Sequence, residues 1–324
     1  MSNKIILLAM CCNQPFFRKQ AEFLLKESYG KDIISGKYPN VDFFIYTASE
    51  NGSSYIDYEN HMIYVNADDT LEGTFEKTQN TLKLLNDKGV DYEWIMHTNC
   101  SSWINVPLLS HFISSMKNCD RNKIFSSRIY SSIDGCGPDL FDFYGVGNGL
   151  LIPKFWCNII ANTVLDDIKR YNKVASPSIY KIDDNAIGFI CNTYAESNKI
   201  NKYSIWKSYR DVYTYGKITP HTFHSKNFLN FIVIPIRIYD RDREEEYAFH
   251  RMLLDEIIDI NFDNVNVYDI LTENDKVLFV DFSKGLARIV THDDAVRFAL
   301  NPGIFDNNIE KYCFYLNQNT KKQV

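Results

Sequence analysis

The sequence predicts an α/β protein with a mixed, mostly parallel sheet flanked by helices, and two observations carry that prediction. Through the first 116 residues, apolar runs of strand length alternate with amphipathic stretches of helix length, the pattern of strands joined by crossover helices. None of these runs nears the roughly 18 to 20 consecutive apolar residues that a membrane helix needs. With 324 residues, 45% of them hydrophobic, the chain can bury a large core and still carry an appendage.

The elements follow in order. "KIILLAM" (4–10) is a continuous apolar run and reads as a buried strand. The apolar N-terminus is not read as a signal peptide: no small-residue cleavage site follows, and "NQPFFRKQAEFLLKES" runs straight into a helix. That helix (16–28) carries Phe16, Phe17, Ala21, Leu24 and Leu25 on one face. "VDFFIYTAS" (41–49) and "MIYVNA" (62–67) are the second and third strands. Helical spacing at Phe75, Thr78, Leu82 and Leu85 predicts a helix over 74–89, stopped by Gly89. "YEWIMHT" (92–98) is a fourth strand, and 105–116 another helix.

Beyond residue 120 the pattern changes. "KIFSSRIY" (123–130) is a strand, and 142–163 is a glycine-rich loop feeding a strand and then a helix. In 180–197 a polar acidic turn opens a helix. "FLNFIVIPIRIYD" (228–240) reads as one long strand interrupted by Pro235, and 243–260 as an amphipathic helix. The expected division is a first domain over 1–255 and a small α+β extension over 256–324, with strands at "NVNVYDI" and "KVLFVDF" and a helix at "DDAVRFAL".

Composition narrows the function. The formal charge is −6 with Lys and Arg scattered, which argues against a dedicated electrostatic nucleic-acid binder. The eight cysteines form no CxxC pair and no zinc spacing, so buried free thiols in a reducing cytoplasm are expected. Enrichment in Ile, Asn, Lys and Tyr reflects an AT-rich coding style.

In a largely parallel sheet, ligands collect beyond the carboxyl ends of the strands, where Cys11 to Asn13, Thr47 to Ser49 and Asn99 to Ser102 would meet. Three segments hold candidate chemistry: "TNCSSWIN" (98–105), "YGVGNGLLIPKFW" (144–156) and "IDDNAIGF" (182–189). Each has a plain structural reading. "NCSS" can cap the helix at Pro107, the glycines can serve a turn, and adjacent Asp residues before a helix commonly form an N-cap.

Their order and spacing, however, resemble the Fringe and β-1,3-galactosyltransferase type of GT-A glycosyltransferase. "SWIN" is similar to the apolar-aromatic tail of that family's metal motif, "YGVGNGLLIP" to its glycine-rich segment, and "DDNAIGF" to its "DDxTIGY". "TFHSK" (222–226) resembles its "FHS", and "NADDTLEGTFEKTQNTLKLL" (66–85) a stretch before its metal motif. The resemblance covers about residues 4–230.

It implies a GT-A-like fold and an inverting transfer of a sugar from a nucleotide donor, a UDP-sugar first, to an acceptor hydroxyl. Asp184, or failing it Asp183, would be the catalytic base that takes the acceptor proton. The family's three Asp positions fall on Asn99, Cys100 and Ser101, none a hard carboxylate ligand, so the usual divalent metal is in doubt. Donor contacts are then expected from Cys11, Asn13, Thr47, Asn99, Cys100, Ser101, Gly147, Asn148, Gly149, His224 and Lys226. The phosphate charge would fall to cations among His97, His221, His224, Lys226, Arg210 and Lys207, or to helix N-termini. Trp103, Lys207 and Arg210 are the expected acceptor contacts. The acceptor is either a glycan or the hydroxymethylated base of viral DNA, which would place the enzyme in the host cytoplasm. The alternative is a catalytically inactive GT-A-like sugar-binding or scaffolding protein.

Overall fold

Strand β1 (Ile5–Met10) is apolar throughout and enclosed from Ile5 to Ala9, so both of its faces must be covered. The computed structural model describes residues 3–118, 121–126, 129–131, 143–145, 149–168, 183–197, 206–208, 232–235, 244–257, 262, 276–281 and 286–291. After β1 come α1 (Pro15–Glu27), α2 (Tyr29–Ile34), β2 (Val41–Ala48), β3 (Tyr55–Asp57), β4 (Met62–Val65) and α3 (Thr74–Asp87). Then follow β5 (Trp94–Asn99), β6 (Ser102–Ile104), α4 (Val106–Ser115), β7 (Ile124–Ser126), β8 (Ile129–Ser131), β9 (Phe143–Gly145), β10 (Leu150–Pro153) and α5 (Lys154–Asn162). The remaining elements are α6 (Asp183–Ser197), β11 (Trp206–Ser208), β12 (Val233–Pro235), α7 (Glu244–Ile257), β13 (Lys276–Asp281) and β14 (Leu286–Thr291).

The main sheet runs β11-β7-β10-β5-β1-β2-β4-β3. Pairs β1/β2, β1/β5, β2/β4 and β7/β11 are parallel. Pairs β5/β10, β7/β10 and β3/β4 are antiparallel. The α/β class therefore holds, with a sheet more evenly mixed than expected. The reversal at β10 has a consequence for the site: an antiparallel neighbour begins where β5 ends, so the segment entering β10 arrives at the carboxyl rim of the parallel strands.

Alternation along β1 divides the core in two. Ile5, Leu7 and Ala9 pack with Phe23, Leu24, Leu109 and Phe112 from α1 and α4. Ile6 and Leu8 pack with Leu82, Leu85, Trp156, Ile160 and Ile187 from α3, α5 and α6 on the opposite face. No helix among the described residues is long and apolar enough to cross a membrane.

Several boundaries differ from expectation. Within the described part of 123–131, β7 lies in the main sheet and β8 pairs with β9, and only Val233–Pro235 is strand within the described part of 228–240, where it pairs with β6. Helix α7 runs to Ile257, which joins Phe262 in the core on the α1 and α4 face of β1. Strands β13 and β14 pair antiparallel, while "NVNVYDI" and "DDAVRFAL" lie outside the described residues.

Helix α7 docks through a buried aromatic cluster. Phe23 stacks on Tyr247 at 4.1 Å, and Ser28 Oγ lies 2.9 Å from His250 Nδ1. Burial pushes the His250 imidazole down from 6.5 to about 3. The folded state thus holds this ring neutral while the unfolded chain takes up a proton below about 6.5. Stability contributed here is complete at neutral pH and is lost as pH falls, by about 1.4 kcal/mol per pH unit until the folded value is reached. Urea denaturation between pH 7 and 4 should show this slope, and His250→Gln should flatten it; an equal slope in the variant would refute the assignment.

Candidate functional site

From β1 the chain passes to β2 and β4 on one side, and it returns as β5 on the other. The segments leaving β1 and β5 therefore diverge and open a crevice at the carboxyl rim, the place where ligands bind in open α/β sheets. Met10 and Asn99 are partners in register, so the two strand ends are level.

One wall is the turn after β1. The Asn13 backbone N–H donates to Asp69 Oδ2 at 2.5 Å, and its side-chain amide donates to the Ala48 carbonyl at 3.0 Å. The Thr47 hydroxyl donates to Asn13 Oδ1 at 3.3 Å, joining two expected donor contacts into one unit. Behind them Lys77, 2% exposed, holds Asp69 Oδ1 at 2.8 Å and the Cys11 carbonyl at 3.4 Å. A buried ammonium thus fixes the β1 turn through a carboxylate that the same turn shares.

The other wall is the turn after β5. Asn99 Oδ1 accepts from the Ser101 backbone N–H at 2.9 Å and from the Ser102 hydroxyl at 3.3 Å, closing the turn locally. Asn105 Oδ1 accepts from the Leu108 backbone N–H at 3.0 Å and caps α4. "NCSSWIN" therefore does both jobs, with a different Asn for each. Cys100 and Ser101 are buried, so Asn99 is the more open of the three expected donor contacts in this turn. Trp103 is fully buried in β6 opposite Ile234, which corrects its expected acceptor role: a ring at 0% exposure is a core residue.

The glycine segment reaches the same rim. Leu150 pairs with His97, which sets Gly149 next to the end of β5. A Cβ on Gly149 would lie 2.7 Å from Val233 Cγ2, so glycine is needed here for the approach of β12. Gly147, Asn148, Arg210, His221, His224 and Lys226 lie outside the described residues. Lys207 lies in β11, at the sheet edge opposite Phe125.

The acidic pair opens α6, where negative charge suits the helix dipole. The structure separates the two residues. Asp183 is buried: its N–H donates to Thr74 Oγ1 at 3.2 Å, and its Oδ2 lies 3.1 Å from His97 Nε2. That nitrogen's hydrogen bond is with the Tyr46 hydroxyl, at 2.7 Å, while Asp183 Oδ2 has no hydrogen-bond partner among the described residues. The Tyr46 hydroxyl also meets Thr78 Oγ1 at 2.9 Å. Burial, reinforced by the Asp183 charge, pushes the Tyr46 phenol well above its ordinary pKa, so it stays protonated. His97 is enclosed in this cluster, which corrects its expected role as a phosphate-binding cation. Asp184 is half-buried, with Oδ1 accepting from the Asn185 N–H at 2.8 Å.

On the α1 side of the rim, a cavity of about 640 Å³ is lined by Cys11, Asn13, Arg18, Thr47, Glu50 and Tyr64, among others. Tyr64 stacks on Tyr55 at 4.8 Å, and Arg18 pairs with Glu50. No protein-family profile and no curated protein matches the chain.

The rim residues provide neutral hydrogen-bonding groups on both walls, a buried cation behind one of them and a half-buried carboxylate at a helix start. Asp69, Lys77, Tyr46 and Thr78 were not among the residues expected from the sequence. Asp69, Lys77 and Thr78 fall in the stretch 66–85, which stood out for its resemblance and its helical spacing and not for polar side chains, and Tyr46 falls in the apolar strand run 41–49. Among the described residues, no group of three or more His, Cys, Asp or Glu side chains could hold a metal ion.

Proposed function

We propose that this chain is a nucleotide-sugar-dependent glycosyltransferase of the GT-A type that inverts the configuration of the transferred sugar. One observation carries this reading: the Asn99–Ser102 turn, Gly149 and the Asp183/Asp184 pair, which resemble three successive motifs of such enzymes, converge on one rim at the point where the sheet changes direction.

In the proposed reaction the acceptor hydroxyl oxygen attacks the anomeric carbon as its bond to the diphosphate oxygen breaks. The nucleoside diphosphate leaves with that electron pair, and the hydroxyl proton passes to the Asp184 carboxylate. Asp183, enclosed against His97, fixes the first turn of the helix that carries the base.

The divalent metal of such enzymes does not fit this turn. Asn99 and Ser101 are neutral, and the Cys100 thiol faces the Met10 carbonyl at 3.2 Å, so the turn offers a hard cation no carboxylate. The side-chain amides of Asn13 and Asn99 are the neutral donors for the diphosphate in this reading, with Thr47 orienting Asn13; the lysines and arginines expected to supply positive charge fall in 202–226, of which only 206–208 are described. The acceptor is a glycan hydroxyl or the hydroxymethyl group of a modified DNA base.

The test is nucleotide release from a panel of UDP- and GDP-sugars, with and without EDTA and with each acceptor class, alongside calorimetric nucleotide binding. Turnover indifferent to EDTA is expected. Binding without turnover would move the chain to a non-catalytic sugar-binding role, for which the missing acidic residues at 99–101 speak. Neither binding nor turnover would end the reading.

A further inference from the structure

Two thiols meet at the floor of the crevice. Cys11 follows β1 and Cys100 follows β5, each one step beyond the Met10/Asn99 pair, and both side chains enter the same core face as Ala9 and Met96. The last paired residues, Met10 and Asn99, sit on adjacent strands that run about 4.8 Å apart, and a disulfide needs a Cα separation of roughly 4.4 to 6.8 Å. The Cys100 thiol donates to the Met10 carbonyl at 3.2 Å, and the Cys11 thiol lies 3.2 Å from the Cys12 carbonyl and 3.3 Å from that of Phe17. Neither cysteine is in a disulfide.

Access to the two is unequal. Cys11 lines the 640 Å³ cavity, while Cys100 is not among its lining residues and lies deeper. The neighbouring Cys100 side chain, and after it the Lys77 charge, hold the Cys11 thiol below its ordinary pKa against the opposing effects of burial and Asp69. Burial pushes Cys12, the next residue, the other way. Cys157 and Cys191 are buried on the opposite face with raised pKa values, which makes them internal controls.

We propose that Cys11 and Cys100 form a redox modification site, in which a hydroperoxide converts the pair to a reversible disulfide tying the ends of β1 and β5. The Cys11 thiolate attacks the peroxide, giving a sulfenic acid and hydroxide. The Cys100 sulfur then displaces the sulfenic oxygen, forming the S–S bond and releasing water. In sum two thiols and one hydrogen peroxide give one disulfide and two waters, with the sulfurs oxidised and the peroxide reduced. The site stands whether or not the chain transfers sugars.

The experiment treats the reduced full-length protein with hydrogen peroxide, blocks remaining thiols with N-ethylmaleimide and maps peptides by tandem mass spectrometry without reduction. Expected is a peptide carrying Cys11 joined to one carrying Cys100, lighter by two hydrogens, reversed by dithiothreitol and formed also in Cys12→Ser. It should vanish in Cys11→Ser and Cys100→Ser. Fragment ions assigning the bridge to Cys12, or the absence of any bridge while Cys11 is oxidised to sulfinic acid or left as thiol, would overturn the proposal. Because wild type and Cys12→Ser decide both outcomes, a folding failure of the other variants leaves the result intact.

Discussion

Asp184→Asn is expected to lower sugar transfer by about 10²- to 10⁴-fold, the usual contribution of a positioned general base. The amide oxygen still accepts the Asn185 N–H that Oδ1 holds at 2.8 Å, so the first turn of α6 keeps its shape. What disappears is the capacity to take a proton. The loss should therefore appear in kcat, with nucleotide affinity and melting temperature close to wild type. The neighbouring Asp183→Asn is the contrast. That side chain is enclosed beside His97 and Tyr46, so its substitution disturbs a buried cluster and should lower stability as well as rate. Retention of more than a tenth of wild-type turnover by Asp184→Asn would remove that residue from the base role.

Lys77→Met is expected to destabilise the protein by about 2 to 3 kcal/mol. Breaking a fully buried ion pair from one side costs about 3 to 5 kcal/mol, because the remaining charge loses its partner. The value here sits lower, since the Asp69 side chain keeps 25% exposure and can recruit water. Adding Asp69→Leu to Lys77→Met should recover part of the loss by removing the stranded carboxylate, although the Asn13 N–H then loses its acceptor. Denaturant unfolding of the single and double variants checks this. A single variant as stable as wild type would show that the ammonium does not hold the β1 turn.

How much of this was legible in the sequence depended on whether a residue's environment follows from its own run. β1, β2 and β5 were readable because each is apolar on both faces, which needs a covered sheet and no knowledge of the partners. The reversed direction of β10 was not, since four apolar residues look alike whichever way the strand runs. Helix α2 was hidden by Gly30, where a Cβ would come within 2.5 Å of the Phe43 ring: the glycine serves close packing and not a stop. Lys77 sits among Thr74, Phe75 and Thr78, and nothing in helical periodicity announces that its ammonium turns inward to Asp69. The acidic pair was visible as a pair, but which member faces the protein depends on His97, 86 residues upstream of Asp183. Trp103 misled for the converse reason, because an aromatic residue beside a polar turn suits a binding surface and a core equally well.

The reversed β10 also orders events during synthesis. As the chain leaves the ribosome, β5 finds β1 on one side at once, but its other edge stays without a neighbour until Leu150 to Pro153 have been added. An exposed strand edge invites pairing with other chains, so a polypeptide stalled in that interval is the form most prone to aggregate.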